Sequence, residues 1–378
     1  MRKQEIQEYK DLAVKITERL IRYGAFNPPG NEKASAEFVA DLLREAGFSV
    51  ELHEFLPDRV NLKAVYRDKE RIGLILNGHL DVVPAAGKWE RDPLSGETDG
   101  ENIYGRGACD MLSGCAAITA AGIYAARHFE FRKGLMILLV ADEENINRGI
   151  RYELDHGRLE AEAAVVAEPT NLNVALGNKG YSSFFIKTKG QACHSSKPWD
   201  GENAIYKMGH ILCRLEAYAE SLQSIRHPML GQATACVGTI QGGIRLNTVP
   251  DACEAEFERR LLPGETIDEV EEQLKKITGT EGEVVRRSFI YSSMLEEDHE
   301  LAANCMKALN EAGWEQGKLT IFTGCSEAAM FSVESGIPTV LLGPGDIRFA
   351  HRENEYCPTA QIRACVEIFA CLIGRYSC

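Results

Sequence analysis

Three short apolar segments constrain the fold most strongly, because each has the pattern of a strand that is buried on both faces. They are Ile72–Leu76, Leu135–Ala141 and Ala163–Ala167. Such runs, bounded by turn residues, are typical of a parallel sheet covered by helices. Apolar residues recur at helical spacing in residues 3–24, Ala34–Ala46 and Ser113–Arg127. The alternation predicts an α/β fold with a mainly parallel central sheet.

The middle of the chain follows a different order. Its patterns predict strand, helix, two strands, helix and strand, at Tyr181–Lys189, Gly201–Ala219, Thr234–Gln241, Cys253–Leu261, Thr266–Ile277 and Glu283–Phe289. This is the order of an α+β ferredoxin-like sandwich. Helical patterns then return at Glu300–Ala312 and Thr359–Arg375. We therefore predict a catalytic domain formed by residues 1–177 and 293–378, interrupted by an inserted domain at 178–292.

Composition excludes several classes of protein. The 378 residues include 56 acidic and 42 basic side chains, a net charge of −14, which argues against a nucleic-acid partner. The longest apolar run, Leu135–Ala141, is far shorter than the roughly 20 residues of a membrane span, so no membrane partner is expected. The first residues lack the pattern of a secretory signal, and the twelve cysteines form no C-x-x-C pair. These features favour a cytoplasmic protein with reduced, mostly buried thiols.

Histidines and acids follow the predicted buried strands. They are His79 and Asp81, Glu143 and Glu144, Glu168, and His351 after a further strand near Val340, while Asp110 precedes a predicted helix. The carboxyl ends of parallel strands meet at one edge, where ligands bind. Any one of these residues has an ordinary interpretation, such as a helix N-cap for Asp110. Together, however, crowded carboxylates are costly unless cations neutralise them, and this set suits one or two divalent ions of the zinc class.

His79 and Asp81 carry a further prediction from their spacing. Residues two apart in an extended segment face the same side. The carboxylate of Asp81 is therefore expected to accept a hydrogen bond from the second imidazole nitrogen of His79 and to orient the ring.

Seven stretches together resemble the M20 metallopeptidases, the family of acetylornithine deacetylases, succinyl-diaminopimelate desuccinylases and aminoacylases. The stretches are NGHLDVVP (77–84), YGRGACDMLSG (104–114), ADEEN (141–145), AEPTN (167–171), GQACHSSKPWDGENAI (190–205), GGIRLNTVPDACEAEFERRLLPGE (242–265) and GPGDIRFAHRENEY (343–356). They occur in the family's order and span most of the chain.

The resemblance implies two divalent metal ions, zinc first, with cobalt or manganese as alternatives. It implies one ion held by His79 and Glu168, and the other by His351 and Glu144. Asp110 would bridge them. In the same reading Glu143 is the general base, and Asp81 is counted with the catalytic residues.

The resemblance also implies that the inserted domain is a lid and dimerisation domain, and that the protein is a homodimer. His194 would reach the partner subunit's active site and stabilise the oxyanion. Arg260 would bind the substrate carboxylate as a guanidinium fork, and Asn247 would be a neighbouring polar contact. Without the resemblance, His194 is interpreted as a surface residue and Arg260 as the ion-pair partner of Glu258.

The segment Ser326-Glu327-Ala328-Ala329 lacks the arginine of the desuccinylase and carboxypeptidase branches and is closer to the acetylornithine deacetylase branch. The expected reaction is hydrolysis of the amide bond of an N-acyl amino acid, N-acetylornithine first. Succinyl-diaminopimelate, other N-acyl amino acids and dipeptides are the alternative substrates. Glu327 either meets a cationic substrate side chain or is a buried structural acid.

Three rival functions remain to be compared. A dinucleotide oxidoreductase is disfavoured because Gly105-x-Gly107 lacks the third glycine, and a serine hydrolase because no G-x-S-x-G occurs. A non-catalytic ligand-binding relative is disfavoured because all five ligand positions and Glu143 are present.

Overall fold

The computed structural model describes residues 5–157 and 159–378. The chain divides into two compact units. Unit 1 contains the described residues up to Gly177 together with Leu295–Cys378, and unit 2 is Asn178–Met294.

The α-helices of the described residues are, in chain order, α1 (Gln7–Tyr23), α2 (Lys33–Glu45), α3 (Leu112–His128), α4 (Arg148–His156), α5 (Ala204–Ser221), α6 (Ile267–Thr278), α7 (Glu300–Glu311), α8 (Ala328–Glu334) and α9 (Thr359–Tyr376). The strands are β1 (Ser49–Leu56), β2 (Arg59–Tyr66), β3 (Ile72–His79), β4 (Asn102–Tyr104), β5 (Gly134–Val140), β6 (Ala163–Val166), β7 (Val174–Asn178), β8 (Gly180–Lys189), β9 (Arg226–His227), β10 (Gly231–Gln232), β11 (Thr234–Gly242), β12 (Ala252–Leu261), β13 (Gly282–Ile290), β14 (Ser293–Met294), β15 (Leu319–Phe322), β16 (Thr339–Leu341) and β17 (Tyr356–Pro358).

Unit 1 is built on a mixed sheet with the strand order β1-β2-β5-β3-β6-β16-β7 and with β15 paired to β7. The central strands β5, β3, β6 and β16 are parallel. The pairs β1–β2, β2–β5 and β16–β7 are antiparallel. The predicted α/β class is confirmed, and antiparallel pairs flank the parallel centre. Every residue of β3 and β5 is buried, which explains why both sequences are apolar over most of their length.

The alanine-rich helix α3 lies deep in unit 1. All its residues from Leu112 to Ala125 are buried, and it packs against α1 and α9. Small side chains let neighbouring elements approach closely here: a Cβ added at Gly114 would lie 2.3 Å from the carbonyl oxygen of Ala167. This packing fixes the start of α3, and with it the residues just before the helix.

Unit 2 contains an antiparallel sheet with the order β11-β12-β8-β13. The helices α5 and α6 pack on it around a core that includes Phe184, Met208, Phe257 and Leu274. The sequence order β8-α5-β11-β12-α6-β13 with this sheet order is the ferredoxin-like arrangement. Helix α6 begins with a capping box between Thr266 and Glu269.

No helix among residues 5–157 and 159–378 is long and apolar enough to cross a membrane. No disulfide joins the twelve cysteines, half of which are buried.

Candidate metal centre

The sheet of unit 1 brings the predicted site loops to one edge. His79 is the last residue of β3 and pairs in register with Val140, the last residue of β5. Glu143 and Glu144 follow β5 by three and four residues, and Glu168 follows the other neighbour of β3, strand β6. The three loops leave adjacent parallel strands at the same end, which is where ligands bind in such sheets.

The carboxylate of Asp110 lies between two imidazoles. Its Oδ1 is 3.4 Å from Nε2 of His79, and its Oδ2 is 3.4 Å from Nε2 of His351. Nε2 of His351 is also 2.9 Å from Oε1 of Glu144. Ligand atoms of His79, Asp110 and Glu144 all lie within 4.8 Å of one another. Asp110 does not cap helix α3, whose N-cap residue is Met111 and has no side-chain cap.

Glu143 and Glu168 complete the group of acids. Oε2 of Glu143 is 4.0 Å from Nε2 of His79, and its side chain is 11% exposed. Glu168 is 2% exposed. Burial, followed by the charge of Asp110, raises the pKa of Glu168 well above its usual value. The structure therefore places the two acids in one electrostatic environment with His79 and Asp110.

The pKa values of the site follow from burial and from its crowded charges. Burial raises the pKa of Glu143 well above its usual value, and the charges of Glu168 and Glu144 raise it further. Hydrogen bonding to Asp110 and Glu144 raises the pKa of His351 to about 10. These acids repel one another and favour protonation of the two imidazoles. Divalent cations would replace those protons.

The donor set fits divalent cations. Imidazole nitrogens and carboxylate oxygens are the usual ligands of zinc and its neighbours. Oδ1 of Asp110 is buried and has no hydrogen-bond partner among the described residues. A buried carboxylate oxygen without a partner is costly, and a cation would satisfy it.

The structure corrects the expected role of Asp81. Nδ1 of His79 lies 2.9 Å from the backbone carbonyl oxygen of Asp81, whereas the Asp81 carboxylate is 3.7 Å away. A carbonyl can only accept, so Nδ1 carries a hydrogen, and Nε2 is the nitrogen that would bind a metal once it is deprotonated. The carboxylate instead accepts hydrogen bonds from the backbone N–H groups of Glu143 and Glu144, each at 3.1 Å. Asp81 therefore fixes the loop that carries both glutamates.

A buried polar network behind this loop was not predicted from the sequence. The amide of Asn27 donates to Asp81 at 2.8 Å and to Asp142 at 3.0 Å. Asp142 also accepts from Arg59 at 2.9 Å and from Arg148 at 2.6 Å. Its backbone has a φ of 70°. No spacing signal could reveal the contacts of Asn27 and Arg59, since their partners lie far apart in the sequence.

Glu355 is a second buried acid that the sequence did not single out. Its carboxylate accepts from the backbone N–H groups of Cys109 and Asp110 and pairs with Arg106.

Glu327 is fully buried, and burial raises its pKa to about 8. Neither carboxylate oxygen of Glu327 has a hydrogen-bond partner among the described residues. As at Asp110, buried carboxylate oxygens without a partner are costly, so burial alone does not make Glu327 a structural acid.

The three residues expected to contact substrate from the inserted domain lie in unit 2. His194 is exposed, and its Nδ1 accepts from the backbone N–H of Ser196 at 3.1 Å. The neutral ring therefore carries its hydrogen on Nε2. The backbone carbonyl oxygen of Asn247 accepts from the N–H of Ser195 at 3.1 Å, so Asn247 and His194 are close. Nε of Arg260 lies 2.6 Å from Glu258.

The sequence also matches known proteins. The family described as "Peptidase family M20/M25/M40" matches residues 75–375. The acetylornithine deacetylase of Myxococcus xanthus is 33% identical over 359 residues, which cover 90% of this chain and 91% of the relative. The acetylornithine deacetylase of Yersinia pestis is 29% identical over 369 residues, covering 92% and 91%.

Solved structures show the same fold. An M20 family metallo-carboxypeptidase from Sulfolobus solfataricus matches with a TM-score of 0.79 at 17% identity, covering 96% of this chain and 99% of that one. A dinuclear metal-binding M20 peptidase from Bacillus subtilis matches with a TM-score of 0.73 at 16% identity, covering 98% of both chains.

Proposed function

Because the chain belongs to peptidase family M20/M25/M40 and is a metal-dependent amidohydrolase, we propose that it cleaves the amide bond of an N-acyl amino acid, with N-acetylornithine as the first candidate. The proposal rests on one observation above others. The two oxygens of the Asp110 carboxylate each face a different imidazole, as a carboxylate shared by two metal ions requires.

We assign the ligands as the geometry and the family pattern together suggest. His79 and Glu168 would hold one divalent ion, His351 and Glu144 the other, and Asp110 both. Zinc suits this donor set, and cobalt or manganese would also be accepted. Two such ions would polarise the scissile carbonyl and lower the pKa of a water molecule.

Glu143 is the proposed general base. Its side chain is 11% exposed, it lies 4.0 Å from His79, and it is not needed as a ligand in this assignment. A carboxylate that is not a metal ligand can accept a proton from the attacking water and transfer it to the leaving amine. Asp81 supports this role by holding the backbone of Glu143 and Glu144 in place.

Unit 2 is the proposed lid and dimerisation domain. The Nε2–H of His194 is a donor suited to an oxyanion at the partner subunit's site, and Arg260 and Asn247 would contact the substrate. Ile244 and Leu246 have exposed fractions of 87% and 102%. Exposed apolar groups of this kind are typical of interaction surfaces and support a homodimer.

The substrate assignment rests on the relatives. Both curated relatives above are named acetylornithine deacetylase, and each covers about nine tenths of this chain. The segment Ser326-Glu327-Ala328-Ala329, which lacks the arginine of other branches, agrees with that branch.

A substrate screen tests the proposal. The purified protein is stripped with a chelator, reloaded with Zn²⁺, Co²⁺ or Mn²⁺, and assayed for release of free amine. The substrates are N-acetyl, N-succinyl and N-formyl amino acids and dipeptides. We expect metal-dependent turnover with the highest kcat/KM on N-acetylornithine. A preference for N-succinyl substrates or dipeptides would move the protein to another branch, and absence of metal-dependent hydrolysis would overturn the enzyme assignment.

A further inference from the structure

The carboxylate of Glu355 makes an unusual set of contacts for a residue outside the ligand set. Its Oε1 accepts from the backbone N–H of Cys109 at 2.8 Å and from that of Asp110 at 3.1 Å. Its Oε2 lies 2.5 Å from Nη1 of Arg106. The residue is 1% exposed, so all three interactions are shielded from water. Glu355 therefore holds the backbone of the proposed bridging residue directly.

Glu355 also lies in the segment that contains His351, the histidine on the other side of Asp110. It follows His351 by four residues, and its own carbonyl oxygen accepts from the N–H of Gly105 at 3.0 Å. The next residue, Tyr356, begins β17, which pairs antiparallel with β4 in register with Tyr104. The side chain of Glu355 and the pairing of β17 with β4 therefore connect the segment that contains His351 to the loop that contains Asp110.

We propose that Glu355 is a positioning residue that sets the placement of Asp110 relative to His351, and so determines how the second metal ion is held. The proposal rests on the ligand assignment given above. Asp110 and His351 come from parts of the chain about 240 residues apart, and their side chains must meet within a few tenths of an ångström to share an ion. Glu355 bonds to the backbone of the first and lies in the same short segment as the second.

Arg106 makes this arrangement possible. It is 2% exposed, and its guanidinium carbon lies 5.1 Å from the centre of the Trp89 ring. A buried carboxylate beside Asp110 would be unstable without a counter-charge, because like charges in a desolvated site repel strongly. The guanidinium supplies that charge to one carboxylate oxygen and leaves the other free to accept from the loop.

A comparable carboxylate holds the other ligand loop. Asp81 accepts from the consecutive N–H groups of Glu143 and Glu144, as Glu355 does from those of Cys109 and Asp110. A carboxylate can accept two such bonds, and charge-assisted bonds of this kind are about twice as strong as neutral ones. An amide in place of Glu355 would still accept from the loop but would turn a donor toward Arg106.

The test compares four proteins: wild type, Glu355→Gln, the double variant Glu355→Leu/Arg106→Met, and Glu353→Gln. Glu353 is exposed and lies in the same segment, so its variant is a matched control for the loss of one negative charge. Each metal-free protein is titrated with Co²⁺ alone, and binding of the first and second ion is followed by calorimetry and by the visible absorption of bound cobalt. Tm is measured in parallel, and kcat and KM are measured on the best substrate.

We expect Glu355→Gln to weaken the second Co²⁺ at least tenfold more than the first, to change its absorption spectrum, and to lower kcat about 100-fold with KM within about threefold. The double variant leaves neither an unpaired charge nor an acceptor for the loop, so it should regain Tm relative to Glu355→Gln but not the affinity for the second ion or kcat. Glu353→Gln should match wild type.

Two results would overturn the inference. One is Glu355→Gln with wild-type binding of both ions. The other is a double variant that regains Tm, affinity and kcat together, which would make the pair a purely structural ion pair. If Glu355→Gln does not fold, Arg106→Lys replaces it and is expected to lower the second affinity in the same selective way. If wild type binds fewer than two ions, the proposed function fails before this inference is reached.

Discussion

Arg59 allows a sharp test of how the buried network behind the site stabilises unit 1. The side chain is 3% exposed and donates two hydrogen bonds to Glu32, at 2.8 and 2.9 Å. It also donates to Asp142 at 2.9 Å. Asp142 has a second cation in Arg148, whereas Glu32 is fully buried and has Arg59 as its only ion-pair partner among the described residues. Substitution of Arg59 by methionine should therefore leave Glu32 as a buried, uncompensated carboxylate.

The expected loss is large. Removal of one partner from a buried ion pair costs about 3–5 kcal/mol. At about 2 °C per kcal/mol for a unit of this size, the Tm of Arg59→Met should fall by about 6–10 °C near pH 8. Arg44→Met is the matched control, because Arg44 pairs with Asp41 on the surface with exposed fractions of 46% and 74%. Such a pair contributes less than about 1 kcal/mol.

The loss should also depend on pH in a defined direction. Burial already raises the pKa of Glu32 to about 6 in the native protein. An acid with a raised native pKa contributes stability below its unfolded value, and this contribution is lost as the pH rises through the native value. Removal of Arg59 raises that native pKa further, so the variant can protonate Glu32 at pH 5 and recover part of the loss. The deficit should therefore be smaller at pH 5 than at pH 8.

Thermal unfolding followed by circular dichroism at both pH values checks the prediction. The double variant Arg59→Met/Glu32→Gln should recover most of the Tm at pH 8, because it leaves no unpaired charge at Glu32. A deficit of equal size at pH 5 and pH 8, or one no larger than that of Arg44→Met, would refute the reasoning.

Three further predictions concern the site and the thiols. Glu143→Gln should lower kcat by about 10²–10⁴-fold while metal content by mass spectrometry stays unchanged; a loss of metal would make Glu143 a ligand. Metal loading of the metal-free protein at pH 7 should release protons, because its neighbours raise the pKa of His351 to about 10; calorimetry in two buffers of different ionisation enthalpy should show this, and identical heats would contradict it. Exposed Cys213 should react with a thiol reagent in the native protein long before buried Cys109, as peptide mass mapping will show; equal labelling would mean that the loop before Asp110 opens.

The sequence was sufficient for the parts of the fold in which pattern follows burial. The runs Ile72–Leu76 and Leu135–Ala141 are apolar because β3 and β5 are covered on both faces, and both strands appear where they were predicted. Strand direction carries no such signal, so the antiparallel pairs β1–β2 and β2–β5 could not be distinguished from parallel ones. The short strand β15, only partly buried over most of its length, has too little periodicity to be recognised.

In the site, too, features set by neighbouring residues were predictable, whereas contacts between residues far apart in the sequence were not. The residues that follow strand ends were identifiable because the chain itself places them at the sheet edge. The partner of the Asp81 carboxylate was not identifiable, because its carbonyl accepts from His79 while its carboxylate accepts from N–H groups more than sixty residues away. Glu355 was missed for the same reason, since its contacts with Cys109 and Asp110 span about 245 residues.

The placement of these acids explains why the site needs such a rigid frame. Burial raises the pKa values of Glu143, Glu144 and Glu168, so in the metal-free protein their ionised forms are disfavoured. If this edge of the sheet were flexible, the carboxylates would turn toward water and their mutual repulsion would decrease. The affinity of the site for cations would then decrease as well. Strands buried on both faces, with loops held through the carboxylates of Asp81 and Glu355, oppose that relaxation. The repulsion is then relieved chiefly by cations or protons, which makes metal binding and proton release two aspects of one equilibrium.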